Sequence, residues 1–141
     1  MKYGKLSAAV LGLLLLVGCE DMGNLYPANA QAEKLGGDMA AHFTSFGTGN
    51  GTIEAIGPGG EVLKGNYGPA LVDYPFGAIF KEVNGQYSTN PAKADNGTPT
   101  VAKLTGTMGT TLDCEFYNDD RTNNGFGGCK SVTGALYRLQ Y

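Results

Sequence analysis

Runs in which apolar and polar residues alternate follow one another along most of the chain beyond residue 35. A period of two is typical of β-strands that bury one face and expose the other. Turn sequences rich in Gly, Asn and Pro separate these runs, and helical periodicity is hard to find in them. Seven segments therefore predict strands, namely 38–46, 52–56, 62–67, 100–106, 110–117, 127–132 and 135–141.

The alternation also predicts which side chains face the core. In 110–117, Leu112, Cys114 and Phe116 share one face, and Asp113 and Glu115 share the other. The apolar face is the one that we expect to be buried. The same reasoning buries every second residue of the last strand, namely Tyr137, Leu139 and Tyr141.

The segment between residues 68 and 99 is less regular. Tyr74–Phe80 (YPFGAIF) crowds aromatic and apolar residues without alternation, and we interpret it as a buried strand or as part of a contact surface. Asn84-Gly85 is typical of a tight hairpin turn. The chain also has 23 glycines, which indicate many tight turns. We expect an all-β fold, either a small antiparallel sandwich or a barrel of about seven to eight short strands.

The chain begins with a segment typical of a signal peptide. Lys2 and Lys5 form a short basic region, and Leu6–Val17 is an uninterrupted run of apolar and small residues. This run is shorter than the roughly 20 residues that a membrane-spanning helix needs. We therefore expect residues 1–18 to be removed from the mature protein.

The end of this segment resembles the lipobox of bacterial lipoproteins. Leu16-Val17-Gly18-Cys19 has a large apolar residue, a β-branched residue and Gly before a cysteine, which is the order that the family shows. The resemblance implies that the Cys19 sulfur receives a diacylglycerol, that cleavage occurs before Cys19, and that its new amino group can be acylated. No cofactor is expected beyond these lipid groups. The alternatives for Cys19 are a buried thiol or the end of an ordinary anchor helix.

Three regions follow from these interpretations: a signal peptide at 1–18, a lipidated N-terminus with a flexible tether at 19–35, and a β-domain at 36–141. Within the tether, Ala30 to Leu35 can form a helical turn. Removal of Lys2 and Lys5 leaves eight basic residues against 13 acidic ones, a net charge of −5. This charge argues against nucleic-acid binding and against electrostatic attachment to anionic lipid.

The residues after Cys19 bear on location. In lipoproteins of diderm bacteria, Asp directly after the lipid-bearing cysteine favours retention at the inner membrane. This chain has Glu20 in that place and Asp21 one place later. The resemblance therefore implies the outer membrane, on its periplasmic face, with surface exposure left open.

Cys114 and Cys129 lie on consecutive predicted strands with a polar loop between them. In an oxidising periplasm such a pair is typical of a disulfide, and closing a loop of about 15 residues is worth about 3 kcal/mol. A metal-binding or redox pair is the alternative, although the spacing is not CxxC and no histidine is near in sequence.

No pattern typical of catalysis or metal binding stands out. His42 is the single histidine, and no G-x-S-x-G sequence is present. Asp113 and Glu115 form an acidic pair of the kind used by glycosidases, but such pairs are common on surfaces. The loop from Asp120 has calcium-ligand spacing in its first half, but Ser131 stands where a bidentate Glu is needed. We therefore predict no catalytic or metal-ligating residue, and a solvated hairpin loop.

The C-terminal sequences CEF, GFGGC and GALYRLQY resemble a loosely defined group of uncharacterised proteobacterial envelope proteins. This resemblance implies no activity. We expect a non-enzymatic, lipid-anchored module with a structural or protein-binding role, in contact with another envelope component. The alternatives are a lipoprotein that binds a small ligand or glycan, and a hydrolase whose site the sequence does not reveal.

Overall fold

The fold is a closed barrel of eight antiparallel strands, as the computed structural model shows for residues 19–47, 49–85, 97–119 and 124–141. Every strand pairs with its neighbours in sequence, and the first pairs with the last. The predicted all-β class is confirmed, and the closed ring makes it a barrel rather than a sandwich. The strands are β1 (Cys19–Pro27), β2 (Met39–Ser45), β3 (Gly51–Ile56), β4 (Val62–Pro69), β5 (Thr98–Gly106), β6 (Thr111–Asp119), β7 (Asn124–Ser131) and β8 (Leu136–Gln140).

Short helical segments connect some of these strands. Helix α1 (Ala30–Leu35) joins β1 to β2, a 3₁₀ turn (Pro58–Gly60) joins β3 to β4, and helix α2 (Ala78–Asn84) lies between β4 and β5. We call the end of the barrel at which β1 begins the Cys19 rim. The β2–β3 connection and the end of β4 lie at this rim, and α1, the 3₁₀ turn and the β5–β6 and β7–β8 turns lie at the opposite rim.

The structure corrects the predicted tether at 19–35 and the domain boundary at 36. Residues 19–27 form β1, which pairs with β2 from Cys19↔Ser45 onward and with β8 from Asn24↔Gln140 onward. The helical turn predicted at Ala30 to Leu35 is confirmed as α1. Residue 19, the first that the structure describes, therefore already belongs to the barrel wall, and no spacer separates Cys19 from it. The predicted signal peptide, 1–18, lies outside the described residues.

Helix α1 is tied to the opposite rim by Asn29, its N-cap residue. The Asn29 Oδ1 accepts hydrogen bonds from the backbone N–H of Ala32 (3.0 Å) and of Leu136 (3.1 Å). Its Nδ2 donates to the carbonyl oxygen of Gly134 (2.9 Å). One side chain therefore caps the helix and holds the β7–β8 turn next to the end of β1, where the ring closes.

The barrel interior is filled with aromatic side chains near the Cys19 rim and with aliphatic ones toward the opposite rim. The Phe43 and Tyr141 rings stack with 3.9 Å between centroids, and Tyr67 and Phe116 pack around them. The inward faces predicted for β6 and β8 are confirmed. The aliphatic layer consists of Leu25, Met39, Leu63, Leu104 and Leu112.

Two glycines create the space that the aromatic cluster needs. A Cβ atom at Gly125 would lie 1.9 Å from the Tyr141 ring, and one at Gly23 would lie 2.9 Å from the Phe43 ring. Neither position accepts a side chain without displacement of a ring. Because Gly23 occupies an inward position of β1, that strand carries little apolar surface, and the alternation in the sequence did not reveal it.

The segment at Tyr74–Phe80 is not a strand, and Asn84-Gly85 is not a hairpin turn. Helix α2 begins at Ala78, after Gly77 with φ 120°, and ends at Asn84 with Gly85 as its C-cap residue. Asn and Gly are also common at helix ends, so the same dipeptide fits both structures. Phe80 is buried, whereas Tyr74 is exposed.

Glu61 is a buried carboxylate (6% exposed) that organises the β5–β6 turn from the neighbouring β3–β4 connection. It accepts hydrogen bonds from the backbone N–H of Met108 (2.7 Å) and of Thr110 (3.3 Å). The Thr110 hydroxyl lowers the pKa of Glu61, burial opposes this effect, and the two backbone donors lower the pKa further. The carboxylate is therefore charged at neutral pH and stabilises the turn in that form.

We expect Glu61→Gln to lower the free energy of unfolding by about 1–2 kcal/mol at neutral pH, because charge-assisted hydrogen bonds are replaced by weaker ones. The pKa of Glu61 in the folded protein lies below its ordinary value of 4.5. The stabilisation is therefore complete above pH 4.5 and is lost as the pH falls through the folded-state pKa. Urea unfolding of the wild type and of Glu61→Gln, from neutral pH to below pH 4.5, measures the difference in their free energies of unfolding.

Glu54→Gln is the matched control, since Glu54 forms an exposed ion pair with Lys64 (3.5 Å). Such a pair contributes little to stability. A Glu61→Gln protein as stable as the wild type at neutral pH, or a difference that grows on acidification, would contradict the role of Glu61.

Candidate functional site

A groove lies on the outer face of β4, β5 and β6. One side of it is a polar row set by strand register, in which Asn66 is opposite Lys103 and Lys103 is opposite Asp113. Directly opposite residues on antiparallel strands point to the same face of the sheet. The amide, the ammonium and the carboxylate therefore stand next to one another on the outside of the barrel, where all three residues are exposed.

The floor of the groove lies one row closer to the Cys19 rim, where Gly68 is opposite Val101. Gly68 leaves room there because it has no side chain. Tyr74 forms a wall, and Phe46 and Asn50 from the β2–β3 connection line the end nearest the rim. The groove has a volume of about 660 Å³, within the range typical of binding sites for small ligands.

Tyr74 is an exposed aromatic side chain of the groove, at 38% exposure. Burial of its hydroxyl raises the pKa of Tyr74, and the nearby carboxylates of Glu115 and Asp113 raise it further. Tyr74 therefore keeps its proton at neutral pH. It offers a ring for stacking and a hydroxyl that can donate or accept a hydrogen bond.

The segment that carries Tyr74 is held on the barrel by Glu115. This carboxylate accepts hydrogen bonds from the backbone N–H of Ile79 (3.0 Å) and of Gly77, at the start of α2. The first N–H groups of a helix have no partner within the helix, so a carboxylate there satisfies them. Glu115 does point to the outer face, as predicted, but α2 covers it and leaves it 2% exposed.

Aromatic contacts and one close backbone approach hold the rest of α2. The Phe80 ring packs edge-on against Tyr117 and Phe126, with centroids 5.1 and 5.6 Å away. Val83 lies directly over Gly128, where a Cβ atom would come within 2.6 Å of it. A larger residue at position 128 would therefore push α2 off the barrel. These contacts hold α2, which follows the segment that carries Tyr74, against the barrel.

The structure joins the two cysteines that were predicted to pair. Cys114 of β6 and Cys129 of β7 are directly opposite in register, and their sulfurs are 2.01 Å apart. Both residues are buried and face the barrel interior. Cys114 therefore lies on the inner side of β6, whose outer side contributes Asp113 to the groove. The backbone of Cys19 starts β1 at the rim, opposite Ser45, and its lipidation stays a prediction.

The other sequence candidates are not brought together. His42 is exposed on β2, away from the groove residues. The pair Asp113 and Glu115 is divided, since Asp113 lines the groove and Glu115 binds the start of α2. The loop predicted at 118–128 is largely strand, since residues 118 and 119 belong to β6 and residues 124–128 to β7, and only residues 120–123 lie outside the described part of the chain. The groove itself was missed, because its residues come from four distant segments that only strand register places side by side.

Among residues 19–47, 49–85, 97–119 and 124–141, no group of three or more His, Cys, Asp or Glu side chains could hold a metal ion. Over the same residues, no helix has both the length and the apolar character needed to cross a bilayer.

The fold defines this chain as a small closed-barrel protein with a groove on its outer wall. Comparisons with protein-family models, with curated proteins and with solved structures find no match to it.

Proposed function

We propose that this protein is a non-enzymatic binding module of the bacterial cell envelope, anchored by lipid at Cys19, and that a protein partner binds in the lateral groove. The groove is the observation that carries the binding role. The resemblance of residues 16–19 to a lipobox supports the anchor, and Glu20 at the next position supports the outer membrane, on its periplasmic face.

The chemistry of the groove suits a peptide segment. The Asn66 amide can both donate to and accept from the peptide groups of a bound segment. Lys103 and Asp113 bring opposite charges to neighbouring places in the polar row, which would set the direction of a bound chain. Tyr74 adds an aromatic side chain of the kind that is enriched in protein interfaces.

The closed barrel restricts how a partner can bind. Each described strand pairs with a neighbour on both sides over at least part of its length, and β1 lacks a β8 partner only over residues 19–23, so little strand edge is left to which a peptide could add. The interior near the Cys19 rim is filled by the aromatic cluster. Recognition is therefore proposed to use side chains on the outer wall, where polar and aromatic side chains converge in the groove.

Photo-crosslinking from the groove tests this function. We expect a photoreactive amino acid at position 103, in the full lipidated protein in its native host, to form a discrete protein adduct. Tyr74→Ala should reduce the adduct about tenfold or more, the loss expected when an interface residue contributing more than about 1.4 kcal/mol is truncated. The measurement is the adduct yield on a denaturing gel, followed by mass spectrometry.

Position 64 is the matched control, because Lys64 is also an exposed lysine on the outer face of the adjacent strand β4 but lies near the opposite rim. Equal adducts from positions 64 and 103, or an adduct at 103 that Tyr74→Ala leaves unchanged, would contradict binding in the groove.

A glycan is the second candidate for the groove, because Tyr74 places an exposed ring beside the Asn66 amide and the Asp113 carboxylate. Sugars stack on aromatic rings and hydrogen-bond to amides and carboxylates. In the same experiment, a heterogeneous adduct at position 103 that collapses after treatment with a glycan-cleaving enzyme would favour this candidate over a protein.

A further inference from the structure

The start of β1 places the predicted lipid-bearing residue within the barrel wall. Cys19 is paired with Ser45, and every following residue to Leu25 is paired with β2. If acyl chains on Cys19 enter a bilayer, the rim cannot move away from the bilayer by more than the reach of one side chain and its glycerol group. The Cys19 rim must then lie at the lipid headgroups.

Exposed apolar side chains occur at this same rim. Phe46 follows β2 and is 63% exposed, Leu71 follows β4 and is 78% exposed, and Val72 beside it is fully exposed. Moving such side chains from water into an apolar environment lowers the free energy. Together they form an apolar rim, which we define as Phe46, Leu71 and Val72.

We propose that the apolar rim inserts into the headgroup and acyl boundary of the membrane that carries the lipid anchor, so that the barrel stands on the bilayer in one orientation. This inference rests on the proposed anchoring at Cys19. It adds a direct contact between protein side chains and lipid.

Anchoring makes this contact effective even though the apolar area is small. Three side chains would bind a bilayer weakly from solution. Once the acyl chains hold the rim at the surface, the second contact is intramolecular and acts at a high effective concentration. The position of Cys19 then decides which rim meets the lipid, because the opposite rim also exposes apolar side chains such as Met108 and Val132.

Charge at the rim favours a neutral membrane surface. Glu20 and Asp73 are exposed and Asp21 is partly exposed, and all three lie beside the apolar rim in sequence or in the adjacent strand. Carboxylates are repelled by anionic lipid. We therefore expect the contact to form on zwitterionic lipid and to depend little on salt, because burial of apolar surface drives it.

This orientation brings the groove close to the lipid surface. Phe46 belongs both to the apolar rim and to the lining of the groove, so the end of the groove next to Phe46 faces the bilayer. A partner in the groove would then be one that approaches along the membrane surface.

Tryptophan fluorescence tests the contact, because the chain contains no Trp and any introduced Trp is a unique probe. Val72→Trp reports on the rim, and Val132→Trp is the matched control, since Val132 is 83% exposed in the β7–β8 turn at the opposite rim. The lipidated proteins are reconstituted in phosphatidylcholine vesicles that contain brominated lipid. Thermal unfolding checks that each variant is folded.

We expect Trp at position 72 to shift its emission to shorter wavelength and to be quenched by brominated lipid at least about twofold more than Trp at position 132. Phe46→Trp against Met108→Trp should repeat the result, since Met108 is 70% exposed at the opposite rim. Equal emission and quenching at 72 and 132, in proteins that sediment with the vesicles, would overturn the rim contact and leave the anchor intact. If the protein purified from its native host does not sediment with vesicles, both the rim contact and the lipid anchor are overturned.

Discussion

Cys19→Ala is expected to abolish incorporation of labelled fatty acid into the protein. The reason is that the sulfur of Cys19 is the proposed site of the diacylglycerol, and no other group of the chain can take its place in the lipobox. Two or three acyl chains, at about 0.8 kcal/mol for each buried CH₂, hold a protein on a membrane essentially permanently. Metabolic labelling with a fatty acid, followed by immunoprecipitation, measures the loss.

The same substitution should also release the barrel from the membrane fraction. This arm needs another leader, because cleavage at the lipobox is expected to require Cys19. For this arm, residues 1–18 are replaced by a secretory signal peptide that is cleaved without lipidation. The apolar rim alone is too small to hold the protein, and the net charge of −5 without Lys2 and Lys5 provides no attraction to anionic lipid.

The chain supplies its own control for acylation, because it has two further cysteines. A protein with Cys114→Ala and Cys129→Ala keeps Cys19 and should be labelled as strongly as the wild type. Labelling that survives Cys19→Ala, or that disappears with the other two cysteines, would show that the lipobox interpretation is wrong.

Replacing Cys114 and Cys129 together by Ala is expected to lower the free energy of unfolding by about 3 kcal/mol, because the disulfide restricts a loop of about 15 residues in the unfolded chain. The two cysteines are separated by 15 residues and are buried in the barrel. For a domain of this size, the loss corresponds to a fall in Tm of roughly 10 °C. Denaturant unfolding and differential scanning calorimetry measure the two quantities.

Reductant gives a second test of the same bond. The wild type should lose a similar amount of stability in a thiol reductant that reaches the bond in the unfolded state, and the double variant should show no response. Mass spectrometry without reductant should find the peptides of Cys114 and Cys129 joined. Two free thiols in the native protein, or equal stability of wild type and double variant, would contradict the prediction.

The sequence revealed most strands because their buried and exposed positions alternate. All seven predicted strands are present in the structure, and β6 and β8 bury the side chains that alternation assigned to the core. In these strands, the residues that alternate between apolar and polar in the sequence also alternate between the inner and outer faces of the barrel wall. Cys114 and Cys129 could be paired for the same reason, since their strands are consecutive and joined by one loop.

The eighth strand and α2 could not be found in this way. In β1, the inward position of Gly23 carries no side chain, because the rings of Phe43 and Tyr141 fill the space from other strands. Helix α2 is only seven residues long, too short to show a helical period in the sequence. Its start is stabilised by Glu115, which lies 38 residues from Gly77 in sequence. A hydrophobic pattern records the neighbours of a residue in the chain, and these elements depend on neighbours across the barrel.

The local features of this protein can be read along the chain alone: extended segments with one apolar face, glycine turns between them, a cysteine pair on consecutive strands, and a lipobox-like leader. The tertiary structure alone decided that the strands close into a ring, that Cys19 is part of the wall, and that Asn66, Lys103 and Asp113 form one row. The physical reason is that register and closure depend on how side chains from all eight strands fill one shared interior. A shift of one residue in any strand would turn its polar row inward.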